Sequence, residues 1–160
     1  MPSPHDSIII LMADDDADDR FLTQKALKQS RLLNEVYCVE DGEELMDYLQ
    51  RQGKYNAENA PLPDLILLDL NMPKKDGREA LREIKSDPEL RKIPIVVMTT
   101  SQQEEDILRT YDLGVNSFIT KPVLFEELVR IMDVIGMYWF QIVKLPSSQI
   151  NTKIIESLSA

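Results

Sequence analysis

Three aspartates in a row, Asp14, Asp15 and Asp16, follow an apolar run near the start of the chain. Carboxylates crowded within a few ångströms repel one another, and one of them takes up a proton unless a cation neutralises them. A hard divalent ion meets this need, and Mg2+ binds through one or two carboxylates while keeping several waters. Asp14 and Asp15 stand directly at the end of the run and read as metal ligands. Asp16 is open to either role, with a helix N-cap favoured, and Asp18 and Asp19 read as first-turn acids that complement the helix dipole. Asp69 closes a second apolar run, Leu65-Ile66-Leu67-Leu68. An aspartate so placed can attack phosphorus and form an acyl phosphate when a metal and a cation offset the charge. It can equally cap the turn Asn71-Met72-Pro73, and the residue alone does not choose. Lys121 offers the cation. It precedes Pro122, which restricts its backbone, and a cis bond there would aim the ammonium into the site. The ordinary fate of a lysine is exposure. Thr99 can donate a hydroxyl hydrogen bond to a phosphoryl oxygen, or occupy a strand end for its β propensity alone.

These residues act together only if the elements carrying them end at one edge. Residues 7–13, 64–69 and 93–98 are nearly continuous apolar runs, the pattern of strands buried on both faces of a parallel sheet. Residues 35–40 form a short strand rich in Val and Tyr, closed by the turn signal Asp41-Gly42. The fifth strand is expected over 116–120. Helices are expected over 18–29, with Leu22, Ala26 and Leu27 on one side, and over 43–52, with Leu45, Met46 and Leu49 as the apolar stripe. Further helices are expected over 78–85, over 104–113 with Gly114 as its cap, and after Pro122. Residues 53–63, with Gly, Asn and two prolines, form a loop. Strands alternating with helices define an α/β fold, a five-stranded parallel sheet doubly wound by helices. In such sheets the site lies outside the carboxyl ends of the strands, near the topological switch point. Asp14 to Asp16, Asp69, Thr99 to Ser101 and Lys121 all stand at those ends.

Composition narrows the class. With 160 residues, 43% hydrophobic and 29% charged, the chain suits one soluble domain. The expected organisation is a tail over 1–6, the domain with an extended last helix over 7–145, and a C-terminal tail over 146–160. A net charge of -10 tells against direct contact with nucleic acid, which needs basic residues against phosphates. The single cysteine, Cys38, cannot form an internal disulfide, which is compatible with a reducing cytosol. The N-terminus has no basic n-region, no stretch approaches a membrane span, and a cytoplasmic location is expected.

The motifs resemble a known family in its order and approximate spacing. They are Ala13-Asp14-Asp15-Asp16, Leu67-Leu68-Asp69-Leu70-Asn71-Met72-Pro73, Asp76-Gly77, Val97-Met98-Thr99-Thr100-Ser101 and Phe118-Ile119-Thr120-Lys121-Pro122. Residues 7–137 are similar to a CheY-type receiver domain, the phosphoacceptor half of bacterial two-component systems, whose fold is flavodoxin-like. The resemblance implies Asp69 as phosphoacceptor, with Asp15, Asp69 and the Asn71 carbonyl on Mg2+ and Asp14 acting on the metal largely through water. It implies that Thr99 and Lys121 contact the phosphoryl group, and that Phe118 is the aromatic switch residue paired with Thr99. The loop over 53–63, the Thr99-Thr100-Ser101 triplet and the tail Tyr138-Trp139-Phe140 through Lys144-Leu145-Pro146 resemble the small response regulators that partner phytochrome-type histidine kinases. Light would then be read by the kinase, and Cys38 would be a core residue and not a chromophore attachment.

The end of the chain has its own pattern. Apolar positions continue through Leu128, Ile131, Val134, Ile135, Tyr138 and Ile142, and Tyr138, Trp139 and Phe140 crowd three aromatics into one turn. They cannot all face one core, so they are expected to form a homodimer or partner surface, with folding back on the domain as the alternative. A final amphipathic turn spans 154–158. The expected activity is acceptance and loss of the protein's own phosphoryl group, with the signal passed to a dimer or a downstream protein and no other catalysis. Two other classes are weighed against this. A phosphohydrolase of the haloacid-dehalogenase type would want a second acid where Asn71 stands, and a pseudo-receiver would lack one or more of Asp14, Asp15, Asp69, Thr99 and Lys121.

Overall fold

The computed structural model describes residues 7–30, 34–99, 115, 117–121 and 124–138. Five strands, β1 (Ile8–Ala13), β2 (Asn34–Val39), β3 (Leu65–Asp69), β4 (Ile95–Thr99) and β5 (Ser117–Thr120), form one sheet in the order β2-β1-β3-β4-β5. Every neighbouring pair is parallel. The described helices are α1 (Ala17–Gln29), α2 (Gly42–Gln50), α3 (Gly77–Ser86) and α4 (Phe125–Tyr138). The chain leaves β1 toward one sheet edge and returns through β3 toward the other, so the order reverses between these two strands.

Alternation along the strands builds a core on each face of the sheet. Leu11, Ala13, Ile66, Leu68 and Val97 pack with Leu45 and Leu49 of α2 and Ala80, Leu81 and Ile84 of α3. Ile10, Met12, Leu65, Leu67, Val96 and Met98 face the other way, onto Ala26 and Leu27 of α1 and Leu128 and Met132 of α4. Burial on both sides explains why these strands are apolar at nearly every position. Cys38 packs against the second core, and its Sγ accepts from Gln24 Nε2 at 2.9 Å.

Aspartate caps begin the first three helices. Asp16 Oδ1 accepts from the amides of Asp18 and Asp19, Asp41 Oδ1 from Glu44 N, and Asp76 Oδ1 from Arg78 N. Each satisfies amides that have no partner inside the helix.

Some boundaries differ from expectation for local reasons. β4 begins at Ile95 because Pro94 has no N–H to give the ladder, although its carbonyl accepts from Ile66 N at 3.0 Å. Its last residue is Thr99. α2 stops at Gln50 because Arg51 is left-handed, with φ 55. The loop that follows is fastened back on α2: Tyr48 Oη donates to Pro61 O at 2.8 Å, Arg51 Nε donates to Ala60 O at 3.2 Å, and Lys54 pairs with Glu44 at 2.9 Å. The expected helix over 104–113, Thr100, Ser101, Gly114, Pro122, Trp139, Phe140 and both tails lie outside the described residues, as does the side chain of Tyr138.

Candidate functional site

The register levels the strand ends. Ala13 pairs with Leu68, Asp69 with Met98, and Thr99 with Thr120. One residue further along, Asp14 comes level with Asp69, and Lys121 stands one residue past the level of Thr99.

Asp14 is fully buried. Its N–H donates to Val39 O at 3.1 Å, and its carbonyl accepts from Arg20 Nη1 at 2.8 Å. Oδ1 accepts from Asp16 N at 3.0 Å, and Oδ2 accepts from Lys121 Nζ at 2.9 Å. Burial pushes its pKa up to about 6, outweighing the Asp16 amide and the Lys121 ammonium. Asp69 is 5% exposed. Oδ1 accepts from Asn71 N at 2.9 Å, and Oδ2 accepts from Lys121 Nζ at 3.1 Å. Asp15 is exposed at the rim.

Lys121 ties the fifth strand to this edge, its N–H donating to Thr99 O at 2.8 Å. Burial alone would lower the pKa of its ammonium. Hydrogen bonds to Asp19 and Asp14 and the charge of Asp69 outweigh that and hold it above the usual lysine range. The third carboxylate on Nζ is Asp19, with Oδ2 at 2.9 Å. Asp19 does stand in the first turn of α1, yet its side chain also reaches across the site, a role not foreseen from its position. Side chains of a helix tilt toward its N-terminus, which would have been the signal that a first-turn residue reaches back to the strand end.

Thr99 is fully buried, and Phe118 is half-buried against the core formed with α2 and α3. Phe118 pairs with Val97, two residues before Thr99, so alternation sets Thr99 and Phe118 on the same face. A second feature not read from the sequence is the closeness of Gly77. A Cβ there would overlap the Asp69 carbonyl oxygen and stand 2.7 Å from Leu70 Cα. Gly42 meets the carbonyl of Lys75 in the same way, and between them Lys74 turns the chain with φ 62.

One carboxylate oxygen each from Asp14, Asp15 and Asp69 lies within 4.8 Å of the others. Donors that are all oxygen, two of them on buried acids, suit a hard divalent cation and not a thiolate-seeking metal. The chain thus presents a buried aspartate, a group of carboxylates spaced as cation ligands would be and an ammonium paired with them at the switch point of a parallel sheet.

The model of the response regulator receiver domain family matches residues 10–133. The chain belongs to this family, the receiver side of two-component signalling. Response regulator Rcp1 of Synechocystis sp. is 46% identical over 141 residues, covering 88% of this chain and 94% of that protein. A crystal structure of the phosphorylated cyanobacterial phytochrome response regulator RcpA is 49% identical, with a TM-score of 0.74 over 88% of this chain and 99% of the other. The Mn2+-bound form of Rcp1 is similar with a TM-score of 0.73, at 45% identity over 88% and 99% of the two chains. The protein is thus a receiver related to phytochrome response regulators. Among the described residues no helix is long and apolar enough to cross a membrane.

Proposed function

We propose that Asp69 accepts a phosphoryl group from the phosphohistidine of a partner kinase, with Mg2+ as the resident cation. The observation that carries this reading is the pairing of buried Asp69 with Lys121 beside the Asp14–Asp15–Asp69 oxygens. A carboxylate oxygen of Asp69 forms the new bond to phosphorus as the P–N bond to histidine breaks, and the electron pair leaves with the imidazole nitrogen. Asp14, Asp15 and Asp69, with the Asn71 carbonyl, would hold the cation, Asp14 largely through water. When bound, Mg2+ supplies positive charge against the oxygens of the transferring group. Lys121 adds an ammonium to the same task, its main chain anchored by the hydrogen bond of its backbone N–H to Thr99 O. The Asn71 N–H on Asp69 Oδ1 orients the carboxylate.

The signal then passes through Thr99 and Phe118. Thr99 turns its hydroxyl to the phosphoryl group, and Phe118 moves further into the core beside Val97. This is a shift between two packings, driven by the better contacts of the phosphoryl group with one of them. It alters a homodimer or partner surface that includes Tyr138, Trp139 and Phe140. The likeness to RcpA and Rcp1 supports a phytochrome-type histidine kinase as partner and the cytoplasm as the location. The net charge of -10 supports a protein target over nucleic acid.

The test is incubation with acetyl phosphate and Mg2+, followed by intact-mass spectrometry and size-exclusion chromatography. A single adduct that needs Mg2+ and is missing from Asp69→Asn is expected, with a change in elution. If neither acetyl phosphate nor a phytochrome-type kinase phosphorylates the folded chain, the reading fails.

A further inference from the structure

Lys121 Nζ has three acceptors, Asp14 Oδ2 at 2.9 Å, Asp19 Oδ2 at 2.9 Å and Asp69 Oδ2 at 3.1 Å. An ammonium has three N–H donors and no acceptor, so this arrangement engages all of them. Asp14 and Asp69 also belong to the carboxylates grouped for a cation, whereas Asp19 does not. A divalent ion seated there offsets the charge of two of the three groups that hold Lys121, and phosphorylation further changes Asp69. Asp19 remains as the one anionic partner committed to the ammonium. Its own place is well fixed. Its amide donates to Asp16 Oδ1 at 3.1 Å, and the next residue, Arg20, bridges the Asp14 carbonyl and Glu40.

We propose that Asp19 is a positioning residue for phosphoryl acceptance, tethering the Lys121 ammonium beside Asp69 when Asp14 and Asp69 engage the cation. This rests on the reading of Asp69 as phosphoacceptor. The Asp19 side chain is 39% exposed, so the pair contributes little to folding stability. Its effect belongs in the rate, because a catalytic ammonium that wanders from its place slows the transfer.

The experiment uses the full chain as wild type, Asp19→Asn, Asp19→Glu and Asp18→Asn. Mg2+ affinity is measured by calorimetry, and adduct formation is followed against acetyl phosphate concentration at saturating Mg2+. Asp19→Asn is expected to lower the limiting rate roughly tenfold or more through misplacement of Lys121. Its Mg2+ affinity and half-saturating donor concentration should stay within about twofold of wild type, the signature of an interaction made in the transition state. Asp19→Glu should recover much of the rate. Asp18→Asn, which removes the same charge from the same helical turn without an ion pair to Lys121, should match wild type. A limiting rate in Asp19→Asn equal to wild type overturns the proposal, as does an equal loss in Asp18→Asn or a parallel loss of Mg2+ affinity. A wild-type chain that takes no phosphate overturns the receiver reading, and this inference with it. A phosphorylated wild type beside an unaffected Asp19→Asn overturns the inference alone.

Discussion

Gly77, the first residue of α3, lies against the main chain of Asp69, the last residue of β3, so closely that a Cβ has no room beside the Asp69 carbonyl oxygen. Its amide donates to Leu70 O at 3.1 Å, which draws the helix start onto the strand end. Asp69, the proposed phosphoacceptor, is thus seated from behind by a residue without a side chain.

Gly77→Ala should therefore displace the Asp69 backbone or the helix start. Overpacking against main chain costs about 1–3 kcal/mol, and the wall here is backbone that cannot rotate away. A lower denaturation midpoint and slower adduct formation are expected together. Wild-type values for both would show that the close approach is not needed.

Lys121→Met tests the ammonium from the other side. It leaves buried Asp14 and Asp69 without their shared cation, and breaking a buried pair in this way costs on the order of 3–5 kcal/mol. Much of that loss should return on adding Mg2+, which can take the place of the ammonium as counter-charge. Phosphorylation should stay low even at saturating Mg2+. Chemical denaturation with and without Mg2+, beside the mass assay, measures both. A variant as stable as wild type without Mg2+ would count against the ion pairs.

Asp14 sets the pH dependence. Its pKa is raised by burial from 3.8 to about 6 in the folded chain, so the folded state binds its proton more tightly than the unfolded state does. The stability that proton contributes is fully present below 3.8 and is lost as pH rises through about 6. Asp14→Asn removes the charge that burial disfavours, and is expected to be more stable than wild type at pH 7 by on the order of 1–3 kcal/mol. That gain should vanish in acid. Cation binding has the opposite slope, because Mg2+ competes with the proton for the carboxylate. Wild-type Mg2+ affinity should fall as pH drops through about 6, and calorimetry at several pH values tests this. A pH-independent affinity over that window would argue that Asp14 is not part of the cation site.

Much of this protein is determined by its sequence alone. The unbroken apolar runs at Leu65-Ile66-Leu67-Leu68 and Ile95-Val96-Val97-Met98 require burial on both faces, and alternation with helices then requires a parallel sheet. That architecture sends Asp14, Asp69, Thr99 and Lys121 to one edge, and the place of Asp16 before a helix with an acidic first turn favours the N-cap role without deciding it. These are properties of short windows, where period and residue type carry the information. The tertiary structure decided the rest. Asp19 reaches Lys121 only because the start of α1 and the residue that follows β5, 102 residues apart along the chain, meet at the same edge of the sheet. The smallness of Gly77 matters because α3 starts against Asp69, and the raised pKa of Asp14 depends on what surrounds it. Each is set by distances between segments remote in sequence, and no local pattern of residues encodes those distances.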